Sequence, residues 1–218
     1  MNKDKEEIRR RGMGKMEFGE LDQYLFGQAT HYDIYKKLGA HPTTQDRKKG
    51  VYFAVWAPNA VKVSVIGDFN QWEIEANPMK KTGPIGVWEV FVPKVKVGDL
   101  YKFYIKAQDG RDLYKADPYA TWSEMRPGNA SRVADITGFK WSDDSWIEKR
   151  KGTDPKQEAV SIYEVHPGSW RKHPSTEQDP DGFYSYREFA HALADYVKRM
   201  GYTHVELMGI AEHPFDGS

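Results

Sequence analysis

The chain has 218 residues, with 32 basic and 32 acidic side chains in balance and no cysteine. Balanced charge leaves no electrostatic footprint for nucleic acid or an anionic membrane. The missing thiols exclude disulfides, thiolate zinc sites and cysteine nucleophiles, and fit a reducing cytoplasm, the location expected here. The charged N-terminus (Lys3 to Arg11) has no apolar core for a secretory signal, and the longest apolar run, Val51 to Ala57, is far short of a bilayer span. Trp, Tyr and Phe make up 14% of the chain, high for so hydrophilic a sequence, which keeps sugar-stacking surfaces in play.

In chain order, residues 1–20 are charged and lack apolar periodicity, the pattern of a mobile tail. Residues 21–49 read as an N-terminal helical segment, with a helix over Thr30 to Leu38 ended by Gly39. From Gly50 the period becomes two. Val51 to Trp56 is a strand stopped by Pro58 and Asn59. Val61, Val63 and Val65 alternate with Lys62 and Ser64; Trp88, Val90 and Val92 form the next face; Tyr101, Phe103 and Ile105 alternate with Lys102, Tyr104 and Lys106. Short strands parted by Gly, Pro, Asn and Asp turns predict an immunoglobulin-like β-sandwich over 50–137. Residues 138–157 read as a linker whose tryptophans, Trp141 and Trp146, pin it to a neighbour.

Residues 158–218 change rhythm again. Val160 to Val165 is a short apolar strand closed by His166-Pro167-Gly168. Ser185-x-x-Glu188 is a capping box before a helix whose face carries Tyr186, Phe189, Ala190, Leu193, Val197 and Met200 and stops at Gly201; His204 to Met208 follows as a strand. Strand, helix, strand is a βαβ unit with parallel strands. A parallel pair needs further strands and covering helices, so the sheet is expected to be unfinished at Ser218.

The turn Gly67-Asp68-Phe69-Asn70-Gln71-Trp72 allows two readings. Trp72 presents a flat apolar face to a sugar ring, with Asp68, Asn70 or Lys102 meeting its hydroxyls, or it anchors a hairpin in the core. The usual burial of tryptophan favours the core anchor. Four of the seven histidines precede proline (His41, His166, His173, His213), and no metalloprotease, phosphate-loop, dinucleotide or serine-elbow motif occurs. No metal or other cofactor is expected.

Val61 to Trp72, Leu100-Tyr101-Lys102-Phe103 and Asp109-Gly110 resemble the glycogen-binding module family. The resemblance implies α-glucan as partner, contacted by Trp72, Lys102 and Asn129. It departs after Gly110, where the family's second stacking Trp is replaced by Arg111 to Lys115. Tyr24-Leu25-Phe26-Gly27, His31-Tyr32, Leu38 to Pro42, Tyr163 to Trp170, Gly201 to Met208 and Glu212 to Ser218 are similar to bacterial 1,4-α-glucan branching enzymes, with Gly209 where that family has Pro. This implies an N-terminal portion: sandwich module, then the first βαβ unit of an incomplete (β/α)₈ barrel. The family is a retaining glycosyltransferase that cleaves α-1,4 glucan and makes α-1,6 branches through a pair of carboxylates. A whole barrel needs about 250 residues, so the catalytic residues are expected beyond Ser218, none is assigned here, and the chain alone should be inactive. Glu164, Glu206, Glu212 and Asp216 lie near strand ends and are read as loop-orienting. A free-standing glucan-binding or scaffold module is the alternative, and a related debranching enzyme a further one.

Overall fold

The structure is a computed structural model that describes residues 16–125 and 127–211. The described residues fall into two compact units, 16–138 and 139–211.

The first unit carries strands β1 (Gly39–Gln45), β2 (Lys48–Trp56), β3 (Ala60–Gly67), β4 (Lys80–Thr82), β5 (Val87–Pro93), β6 (Leu100–Ala107), β7 (Asp112–Lys115) and β8 (Ser131–Arg132). One antiparallel sheet runs β1-β2-β5-β4. The other runs β3-β6-β7, with β8 pairing to the start of β6. Between them lies the main core: Val51, Phe53 and Val55 of β2 and Trp88 and Val92 of β5 meet Val63 and Val65 of β3 and Tyr101 and Phe103 of β6. β3 and β6 send every second residue to the main core, as predicted, but their other face is covered too: Ser64, Ile66 and Tyr104 are buried, while Val61 is exposed.

β2 does not alternate. Its six residues from Gly50 to Val55 are all buried, because the sheet is covered on both faces. Tyr52 and Ala54, with Val87 of β5, point away from the main core and pack under Phe18 and Leu38. Glu89 of β5 fixes this cover: it accepts hydrogen bonds from the Phe18 N–H at 2.9 Å, the Tyr52 hydroxyl at 2.5 Å and the Thr82 hydroxyl at 2.8 Å.

The N-terminal region therefore differs from its sequence reading in three respects. Phe18 is 1% exposed, so the described end of the 1–20 segment is docked rather than a mobile tail; residues 1–15 lie outside the described residues. The helix is α1 (Glu20–Gly27), and Thr30 to Leu38 holds only a 3₁₀ turn at Ile34–Lys36. Asp22 explains this: its carboxylate pairs with His31 at 2.9 Å and Lys37 at 2.8 Å, folding the chain back onto α1 instead of extending a helix. Burial works against ionisation of Asp22, but the hydrogen bonds from Lys37, His31 and Gly19 outweigh it and hold its pKa below the usual value. Finally, residues 39–49 are not helical. They form β1 and the start of β2, so the sandwich begins at Gly39 rather than at residue 50.

The second unit contains α2 (Asp144–Lys151), β9 (Ile162–Val165), α3 (Pro167–Trp170), α4 (Tyr186–Met200) and β10 (His204–Leu207). The segment read as a linker thus holds a helix, and Trp141 and Trp146 do not pin it: they are 77% and 55% exposed. Each has a local partner instead, Phe139 at 4.8 Å and the Arg150 guanidinium at 4.9 Å. β9 and β10 pair in parallel, Ile162 opposite His204 and Val165 opposite Leu207. The capping box forms at the predicted place: Ser185 Oγ accepts from Glu188 N, Glu188 accepts from Ser185 N at 2.8 Å, and Gly201 caps the other end in the left-handed region. Val165, Phe189 and Leu193 are the buried centre of this unit, whereas Ile162, Val205 and Leu207 remain exposed.

Because Phe18 fills a pocket over β2 and β5, Phe18→Ala should destabilise the first unit by about 3 kcal/mol, the cost of emptying a buried aromatic site. Urea unfolding followed by tryptophan fluorescence measures it.

Candidate functional site: the turn after strand β3 and the outer face of β6

β3 ends at Gly67, a position where no side chain fits. A Cβ at Gly67 would sit 2.2 Å from the Leu100 carbonyl oxygen and 2.8 Å from the Phe69 ring. The chain then makes a 3₁₀ turn at Asp68–Asn70 and passes through two left-handed residues, Gln71 (φ 55°) and Trp72 (φ 62°). A bulky residue there is strained, so the surrounding structure must impose it. Asn70 Oδ1 accepts from Gly67 N at 2.9 Å, and Asn70 Nδ2 donates to the Val65 carbonyl at 3.0 Å and Asn77 Oδ1 at 2.7 Å. The Trp72 N–H closes the turn on the Gly67 carbonyl at 3.0 Å.

Trp72 is 37% exposed, so it is not the core anchor that burial statistics favour. Phe69 takes that role, packed on the main core with its ring 5.8 Å from Phe53. Asp68 holds Trp72 from outside: Oδ1 accepts from the indole Nε1 at 3.2 Å and Oδ2 from Leu100 N at 2.9 Å. Asp68 and Asn70, read from the sequence as candidate partners for sugar hydroxyls, are here the residues that build the turn.

Leu100 is two residues before Lys102, which lies opposite Ile66 on β3. The Lys102 ammonium donates to Asn129 Oδ1. The fold so brings Lys102 and Asn129 into direct contact, and ties Trp72 to the same end of β6 through Asp68. Asn129 is far in sequence and reaches Lys102 because of a buried latch that sequence reasoning missed. Asp117 Oδ2 accepts from the Tyr101 hydroxyl at 2.7 Å, its Oδ1 from Tyr119 N at 2.8 Å, and Asp117 N donates to Ser131 Oγ at 2.8 Å. An Asp-Pro pair in a polar stretch gives no sign that its carboxyl is buried.

Residues 37–120 match the family described as Carbohydrate-binding module 48 (Isoamylase N-terminal domain). The chain is 59% identical over 204 residues to the 1,4-alpha-glucan branching enzyme GlgB of Butyrivibrio fibrisolvens, covering 94% of this chain and 32% of that one. Over nearly its whole length the chain is similar to 1,4-α-glucan branching enzymes. The enzyme of the same name from Synechococcus sp. (strain JA-3-3Ab) is 50% identical over 92% of this chain and 28% of its own. The chain thus spans about a third of the length of the branching enzymes it matches. Among solved structures, a putative alpha amylase from Salmonella typhimurium aligns with a TM-score of 0.56 at 24% identity, over 82% of this chain and 25% of that one. The group B Streptococcus pullulanase SAP aligns with a TM-score of 0.54 at 22% identity, over 82% and 24%. These two show the fold alone.

Glu164 and Glu206 are direct partners across the parallel strands β9 and β10, both exposed, while Glu212 and Asp216 lie outside the described residues. Among the described residues no group of three His, Asp or Glu is placed to hold a metal, and no helix is long and apolar enough to cross a membrane. Gly209 adopts φ 61°. Proline is locked near −65°, so this loop leaves β10 by a path a proline cannot follow.

Burial pushes the Asp117 carboxyl up to about 6, despite the hydrogen bonds from Tyr101 and Tyr119 that favour its charge. A folded pKa above the unfolded one contributes stability that is fully present below about 3.9 and is lost as pH rises through about 6. Asp117→Asn keeps an acceptor for Tyr101 without the charge. Its stability relative to the native chain should therefore improve between pH 4 and pH 7, by up to about 3 kcal/mol. Paired urea titrations across that range measure the difference, and a pH-independent difference contradicts the latch.

Proposed function

We propose that this chain is the N-terminal portion of a 1,4-α-glucan branching enzyme of the cytoplasm, in which residues 39–138 form the glucan-binding module and β9, α4 and β10 begin the catalytic (β/α)₈ barrel. The identity of 59% over 94% of the chain to an enzyme of that name carries the reading. It is supported by the order of the parts: a sandwich, then a parallel strand pair joined by a helix. The whole enzyme cleaves an α-1,4 glucan, holds the segment covalently on a carboxylate, and passes it to a glucose 6-hydroxyl. The carboxylates for that chemistry are placed on later barrel strands, so this chain binds glucan without turning it over.

In the module, Trp72 offers the ring face, and Lys102 with Asn129 offers a cation and an amide to sugar hydroxyls. A pyranose has an apolar face of C–H groups, and covering it with indole removes apolar area from water at about 25 cal/mol per Å². The strained turn supports this role. Holding a tryptophan in the left-handed region with its ring partly in solvent costs free energy that core packing does not require.

On a glycogen affinity gel the native chain should be retarded. Trp72→Ala should lose about tenfold in affinity and Lys102→Ala a smaller factor, with unfolding midpoints near native, since both side chains reach solvent. Equal retardation of the native and Trp72→Ala chains would make Trp72 structural. A branching assay on the chain alone should give no turnover.

A further inference from the structure

The second unit holds a cleft that no part of the glucan reading uses. Spaced by three and four residues, Trp146, Lys149 and Arg150 share one face of α2 and line one side of it. Val160, which leads into β9, and Thr203 and His204, at the start of β10, line the other. The cleft has a volume of about 590 Å³, within the roughly 300–1,000 Å³ of small-molecule sites. No residue of α2 is buried, so the helix borders this space instead of filling it.

The strand side is fixed by hydrogen bonds. Thr203 Oγ1 donates to the Ser161 carbonyl at 3.0 Å, accepts from Ser161 N at 2.8 Å, and lies 2.8 Å from His204 Nδ1. On the helix side, the Arg150 guanidinium sits 4.9 Å from the centre of the Trp146 ring. An indole has two faces, and Trp146 is 55% exposed, so ring surface is left for a ligand.

Charge selects that ligand. Lys149 and Arg150 have no ion-pair partner among the described residues, and the nearby Glu148 takes Lys151 at 2.7 Å. Glu158 is the acidic residue lining the cleft, one carboxylate against two cations. A helix C-terminus ordinarily disfavours anions through its unpaired carbonyls. Here those carbonyls are occupied: Lys149 O accepts from Gly152 N at 3.2 Å and Thr153 Oγ1 at 2.9 Å, and Arg150 O from Thr153 N at 3.3 Å. A guanidinium beside an ammonium suits a phosphate, since both give charge-assisted hydrogen bonds and the guanidinium fork can bind two oxygens.

We propose that this cleft binds a small phosphate ester carried on a ring, sugar or nucleoside, with the phosphate at Lys149 and Arg150 and the ring over Trp146. The site does not depend on the glucan-binding reading of the first unit.

The test is calorimetric titration of the whole chain at about 0.15 M salt, where the Debye length is about 8 Å and distant surface cations are screened. Glucose 6-phosphate and adenosine monophosphate are the ring-bearing probes, while inorganic phosphate and glucose each lack one half. One ring-bearing probe or both should bind at least about fivefold more tightly than either half, and the tighter of the two assigns the ring. Lys149→Ala and Arg150→Ala should each lose about tenfold, and Trp146→Leu about fivefold, with helical circular dichroism and unfolding midpoints near native. Lys151→Ala, at the same helix end but paired with Glu148 and outside the cleft, should stay within about twofold of native. Equal losses in Lys151→Ala and Lys149→Ala overturn the site, by assigning the effect to the general charge of the helix. Inorganic phosphate binding as tightly as both ring-bearing probes, or no uptake of any phosphate, overturns it too.

Discussion

The arrangement of the candidate site depends on one buried carboxyl. Asp117 takes a hydrogen bond from Tyr101 in the middle of the main core and, through its own N–H, holds Ser131 at the start of β8. The segment between those anchors carries Asn129, and β8 then pairs with Leu100 and Tyr101. Asp117, through its carboxyl and its backbone N–H together, thus sets where the return loop meets β6, and so whether an amide stands beside Lys102. Apolar packing alone would not fix this, because dispersion and burial are indifferent to a loop's register, whereas a buried acceptor tolerates only a donor in the right place.

How much of this was legible followed from which faces of each element are covered. β3 and β6 send Val63, Val65, Tyr101 and Phe103 to the main core at every second position, so alternation of residue type marks them, although Ser64, Ile66 and Tyr104 on the other face are buried as well. The second unit was equally readable, because the Ser185–Glu188 box and Gly201 bracket α4 with local chemistry that needs no tertiary context. β1 was not readable. Its sequence, Gly39-Ala-His-Pro-Thr-Thr-Gln45, has little apolar content and contains a proline, which an edge strand tolerates when its missing N–H faces outward. It is a strand because β2 offers it a partner, which no local pattern records.

The site shows the same division. Lys102 was visible from its alternation and Trp72 from its turn, but the turn's left-handed backbone reverses what tryptophan burial statistics suggest: Phe69 goes in and Trp72 comes out. Asn129 could be placed only by resemblance, since its position depends on Asp117, 12 residues upstream. Tyr114 sat in plain view, but its packing edge to face on Tyr104 depended on knowing that β7 pairs with β6.

The cover over β2 also bears on the order in which the chain assembles. Phe18 and Glu89 are 71 residues apart, and the same carboxylate holds Tyr52. Closing so long a loop is entropically costly, and its reward is absent until β5 is beside β2. The segment around Phe18 therefore docks late, after the strands it covers have paired. In the interval Tyr52, Ala54 and Val87 form a bare apolar strip on a sheet already built, the kind of surface through which nascent chains associate. Interactions formed after the folding barrier act on the rate of opening rather than on the rate of closure. The N-terminal segment is in this sense a kinetic clasp: it does little to guide the sandwich into shape and much to slow its loss.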